Sequence, residues 1–177
     1  MRLPVLFALS VLLLLGTTAQ ADPKIVDFTS KDGRYSVKIP GKTRQDTKKL
    51  AIGATGLAIP VVTDRVDGPN STILAVTYAD YPDTFRDVDP KTILNGVRDG
   101  LKGTDGKVAL DEKVTLGKDE DKVEGREFRI EAGTKTAVRV RVFLVDTRLY
   151  QVMVTGTKET VNSKAATEFL DSFKLLK

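Results

Sequence analysis

Apolar and polar residues alternate along much of the chain, and the places where that period of two gives way to three and four mark the helices. Tyr35, Val37 and Ile39 alternate with Ser36 and Lys38 until Pro40-Gly41 stops the run, which predicts a first strand. A second runs from about Thr47 to Ile52, before Gly53 and Gly56. Leu57, Ile59 and Val61 start a third, whose Pro60 is best tolerated at an edge or bulge. After the turn Asp67-Gly68-Pro69-Asn70, a fourth strand returns with Thr72, Leu74, Val76 and Tyr78 on one face, completing an antiparallel meander. The period then changes. Asp89 is a good N-cap, Pro90 suits the first helical position, Ile93, Leu94, Val97 and Leu101 make a stripe, and Gly103 is placed to end it.

Strands are predicted over about Val108 to Leu116, Val123 to Ala132, Lys135 to Val145 and Leu149 to Thr155, with a charged loop from Gly117 to Lys122. A closing helix of about Lys158 to Asp171 would stack Val161, Ala165, Phe169 and Phe173 at intervals of four. Two apolar helical stripes and a largely antiparallel sheet predict one α+β domain in which helices pack on the sheet.

The last strands can be tested for register. Setting Val145 opposite Leu149 across a three-residue turn brings Val142 to Val152 and Val140 to Val154 on one apolar face, whereas a shift of one puts Val142 opposite Gln151. Pairing Phe128 with Val140 and Ile130 with Val138 extends that face. The opposite face then holds Glu127 beside Arg141, Arg129 beside Arg139, and Arg141 beside Met153, completed by Phe143 and Gln151. Arg129, Arg139 and Arg141 are the candidate ligand-binding residues, because a guanidinium is a planar fork of donors matched to a carboxylate, a phosphate or a sulfated sugar. The competing reading is an internal ladder of Glu127, Glu131 and these arginines, or arginine stems under a covering helix.

Composition narrows the chemistry. The 177 residues include no histidine, cysteine or tryptophan, which removes the commonest general base, the thiol nucleophile and the usual transition-metal ligands. The formal charge of +4 is spread along the chain rather than gathered in a basic stripe, so no nucleic-acid partner is expected. At the N-terminus Arg2, the apolar run Leu3 to Leu15 and Ala19-Gln20-Ala21 follow the order of a cleavable signal peptide, residues 1–21, leaving 22–177 as a single domain. The apolar run is shorter than the roughly 20 residues a spanning helix needs, and no later stretch spans, so the product is expected outside the cytoplasm, in the periplasm or the medium.

Two acidic groups are further candidates. Asp119-Glu120-Asp121 lacks the alternate-residue spacing and turn glycine of a calcium loop and reads as a solvated turn. Asp80, Asp83, Asp87 and Asp89 crowd one loop, and paired carboxylates there would suit a hydrolase acting on an envelope glycan or ester; turn formation and N-capping are the plainer uses. No nucleophile elbow, phosphate loop or dinucleotide-binding glycine pattern occurs, and no cofactor or metal is expected.

Phe28 followed by D-G-R-Y-S-V-K-I-P at Asp32 to Pro40, the central helix after Tyr78-Ala79-Asp80-Tyr81-Pro82, and E-F-L-D-S-F-K-L at Glu168 to Leu175 together resemble the PsbP/Mog1-like superfamily. The chain is also similar to small secreted bacterial proteins with that layout. The resemblance implies an α/β/α sandwich in proteins that mostly bind or assist and rarely catalyse, and it carries no functional residue across. The expectation is therefore a non-catalytic exported binding or accessory module of the cell envelope, whose partner is an anionic small molecule, a glycan or an envelope protein.

Overall fold

The computed structural model describes residues 24–52 and 57–176; the expected signal peptide, residues 1–21, lies outside the described residues. Ten strands and three helices follow in the order β1 (Ile25–Ser30), β2 (Tyr35–Pro40), β3 (Arg44–Ile52), β4 (Leu57–Asp67), β5 (Ile73–Asp80), α1 (Pro90–Lys102), β6 (Lys107–Leu116), β7 (Val123–Ala132), β8 (Thr136–Val145), β9 (Arg148–Gly156), α2 (Lys158–Val161), α3 (Lys164–Asp171) and β10 (Lys174–Leu175). The expected α+β, largely antiparallel architecture is what is found. Strands β3 to β9 form one seven-stranded antiparallel sheet in the order β3-β4-β5-β9-β8-β7-β6, and β1-β2-β10 form a small second sheet. Neither β1 nor β10 follows from the alternation of residues along the chain.

The large sheet carries a core on each face. On one, Ile93 and Leu94 of α1 pack on Phe128, Ile130, Val140, Val142 and Leu149. On the other, the small sheet and α2–α3 cover Val76, Tyr150, Val152 and Val154 with Tyr35, Val37, Ile39, Phe169 and Phe173. Helix α1 forms as its sequence predicts. The Asp89 carboxylate accepts from the Lys91 amide at 2.9 Å, Pro90 opens the helix, and Gly103 ends it at φ 59°.

Two expectations are corrected. The closing helix is two pieces, because Ser163 turns its side chain to the Ala166 amide at 3.1 Å and caps a new helix, as Thr157 caps α2 through the Thr160 amide at 3.2 Å. Short hydroxyl side chains compete for backbone amides in this way and reset the helix. The break changes the phase, so Ala166 is buried and the expected Ala165 is exposed.

The second correction concerns β8–β9. Val145 lies opposite Arg148, Phe143 opposite Tyr150 and Val142 opposite Gln151, one residue away from the expected pairing, while Arg141 faces Val152 and not Met153. The turn has two residues, with Asp146 at φ 52°, the left-handed conformation that two-residue hairpin turns use. Alternation misled because both faces of these strands are covered, so apolar residues occupy both sets of positions. Gln151 consequently sits on the α1 face, away from the arginines. The β7–β8 register holds as expected, with Phe128 opposite Val140, Ile130 opposite Val138, Glu127 opposite Arg141 and Arg129 opposite Arg139.

Candidate functional site

The register that pairs β7 with β8 puts Glu127, Arg129, Arg139 and Arg141 side by side on the face under α2 and α3. Glu127 is 5% exposed. Its two oxygens accept from separate arginines, Oε1 from Arg139 Nε at 2.6 Å and Oε2 from Arg141 Nε at 2.7 Å. Both arginines reach on to the helix above. Arg139 Nη1 donates to Thr167 Oγ1 at 2.8 Å, and Arg141 Nη1 lies 2.6 Å from Asp171 Oδ1. Burial by itself would push the Glu127 carboxyl up, but the two arginine hydrogen bonds overcome it and hold the group below the ordinary carboxylate range. The result is a charged clamp that ties α3 to the centre of the sheet. Arg129 is the remaining member: it is half-buried, and its Nε has no hydrogen-bond partner among the described residues.

The aspartates of the loop after β5 are separated by their partners. Asp80 makes a bidentate pair with Arg148, at 2.5 and 2.6 Å, and this holds its carboxyl below the usual range. Arg148 also donates to the Asp32 carbonyl at 2.7 Å and lies over the Tyr78 ring, 5.2 Å from its centre. Asp83 pairs with Arg86 at 3.2 Å, Asp89 caps α1, and Asp87 is exposed. A recess of about 330 Å³ opens beside this cluster, between Arg34, Arg86, Arg148 and the β8–β9 turn. An acid already ionised by a fork of donors is a poor proton donor, so Asp80 does not fit the acid of a glycosidase-like pair.

Asp119–Asp121 form a short 3-10 turn of exposed residues. Among the described residues no group of three or more acidic side chains is placed to hold a metal ion, and no helix is long and apolar enough to cross a membrane.

A buried acid was missed in the sequence. Asp64, 2% exposed, accepts from Tyr35 Oη at 2.6 Å and from Gln45 Nε2 at 2.9 Å. Burial and then the Asp64 hydrogen bond push the Tyr35 hydroxyl well up. The available signal was an aspartate in phase with Val62 and Val66, on the strand face that these two turn to the core. A larger groove, about 1100 Å³, runs between the β1–β2 hairpin and α3, with Val37, Leu74, Val154 and Phe169 in its floor and Lys38 and Glu168 at its rim.

No protein-family model and no curated protein matches the sequence. Among solved structures, the chain is similar to the solution structure of cyanobacterial PsbP (CyanoP) from Synechocystis sp. PCC 6803. The TM-score is 0.53 at 14% sequence identity, over 90% of this chain and 96% of that one. The fold is PsbP-like.

Proposed function

We propose, from a PsbP-like fold in which Glu127, Asp80 and Asp64 are all taken up by internal donors, that the protein is an exported, non-catalytic binding or accessory module of the cell envelope. The observation that carries this reading is the Glu127–Arg139–Arg141 clamp: a buried ionised carboxylate spends both oxygens on the two arginines that reach up to α3. Asp80 is likewise consumed by Arg148, and both carboxyls are held below the ordinary range. General acid catalysis at neutral pH needs the opposite shift. The groove beside α3 and the recess at Arg148 offer concave surfaces of the size that small ligands or a partner's side chains occupy. Of the three candidate arginines, Arg129 is the one left to meet an anionic group on a ligand, with Arg139 and Arg141 fixing the strand that carries its neighbours.

Export is supported by the order of charged, apolar and small residues at the N-terminus. The test has two arms. Fractionation with intact-mass analysis should find a product beginning at Asp22 in the envelope or medium; a cytosolic product that keeps its leader overturns export. A thermal-shift screen with anionic metabolites and glycans should find a stabilising ligand whose effect is lost in Arg129→Glu. Turnover of an envelope glycan or ester that disappears in Asp80→Asn would instead establish the hydrolase.

A further inference from the structure

The β3–β4 hairpin is unlike the rest of the surface. The β4–β5 pairing begins at Val61↔Ala79, whereas β3 and β4 stay paired out to Leu50↔Ile59 and Ala51↔Ala58, so the hairpin overhangs the sheet without β5 beside it. On the overhang Leu50 is 50% and Leu57 43% exposed, and Ala51, Ala58 and Pro60 are exposed on the other face. Only Ile59 is buried among these. Behind the apolar part stand Lys48 and Lys49, both exposed, and residues 47–63 contain no Asp or Glu, in a chain that elsewhere mixes both signs of charge.

We infer that this hairpin is an interfacial anchor for an anionic lipid bilayer, with the apolar end entering the headgroup region and the two lysines at the level of the phosphates. Two features select a bilayer over a protein partner. An arm apolar on both faces suits a medium that surrounds it, whereas docking on a protein surface uses one face. An acid-free segment with a lysine collar complements anionic headgroups. A second copy is disfavoured, because pairing β3 with β3 antiparallel over its full length would set Lys48 directly opposite its equivalent, with the two Lys49 side chains close by. The dimensions agree. Three extended residues from the lysines to Ile52 span roughly 10 Å, against the about 5–10 Å to which interfacial elements sink. The inference goes beyond the binding-module reading and is tested separately from export.

The chain has no tryptophan, so Leu50→Trp introduces a single reporter, and Lys91→Trp on the exposed first turn of α1 serves as its control. On vesicles of equal parts phosphatidylglycerol and phosphatidylcholine, the reporter at position 50 should shift its emission to the blue and be quenched by brominated acyl chains, while the one at position 91 stays unchanged. Replacing Lys48 and Lys49 by Gln should raise the half-saturating lipid concentration about fivefold for each lysine removed. Because each reporter senses only its own surroundings, an apolar leader elsewhere in the chain does not imitate the result. An unshifted spectrum on anionic vesicles overturns the inference. So does an equal shift on phosphatidylcholine alone, or a lipid-independent shift that grows with protein concentration, which would assign the arm to a second copy.

Discussion

The interior of the large sheet and its β3 edge are built to different rules. Toward β7, β8 and β9 the strands are covered on both faces, and Phe128, Ile130, Val140, Val142 and Val152 are shielded almost completely. At the β3 end nearly every residue is exposed, and β3 is packed against β4 alone to any extent. The comparison teaches where stability is concentrated. In the doubly covered half the buried carboxylate of Glu127 has both oxygens hydrogen-bonded; on the arm, side chains answer to solvent or to whatever the arm meets. Mutations in the first region should therefore be costly and pH-linked, and mutations in the second nearly silent for folding.

The largest effect is expected at Glu127. Its removal in Glu127→Ala leaves Arg139 and Arg141, whose side chains are 12% and 18% exposed, facing each other without their shared counter-charge. Losing one partner of a buried ion pair costs about 3–5 kcal/mol, read as a fall in Tm with faster amide exchange in α3. The sign of the pH dependence follows from the depressed carboxyl. Its contribution is complete above the ordinary carboxylate value of about 4.3 and is lost as the pH falls through the lower folded value. The Tm difference between wild type and Glu127→Gln should be constant near neutrality and shrink in acid. A difference that persists undiminished to about pH 2 would mean that the clamp is not what Glu127 contributes.

Next in size is Gly125 on β7. A Cβ there would run into the Phe143 ring and the Val142 carbonyl. Phe143 cannot retreat easily, since it lies parallel to Phe173 with centroids 6.1 Å apart. Gly125→Ala should cost about 1–3 kcal/mol by overpacking. A smaller loss, about 1 kcal/mol, is expected for Asp89→Ala, which removes the cap from the Lys91 amide at the start of α1. Chemical denaturation measures both, and reversal of their order would show that the doubly covered half yields more readily than its packing implies.

What could be read from the sequence divides along the same line. Helix α1 was legible to its caps because Asp89, Pro90 and Gly103 each act locally and agree with the stripe of Ile93, Leu94, Val97 and Leu101. The neighbourhood of the three arginines was legible because β7 alternates cleanly, with Phe128 and Ile130 on one face and Glu127 and Arg129 on the other. What was not legible depends on distant contacts. The β8–β9 register was ambiguous because two layers bury both faces, and only the left-handed Asp146 settles it. The clamp's second anchor, Asp171, depends on a helix break at Asn162-Ser163 that periodicity smoothed over. Strand β1 shows little alternation, because Ile25 and Val26 are adjacent and both partly exposed, and it is defined by pairing with β2.

The smallest expected effect is the one that tests the arm. Leu50→Glu places a charge where the leucine is already half in water, so stability should change by less than about 0.5 kcal/mol, whereas a fully buried leucine would not tolerate it. The same substitution should abolish the arm's affinity for anionic vesicles, because it removes apolar surface and puts a negative charge beside Lys48 and Lys49. Separation of the two readouts is the informative result. A loss of more than about 2 kcal/mol would place Leu50 in the class of core residues, and the arm would then be a part of the packing that holds the sheet, with no surface left over for a bilayer.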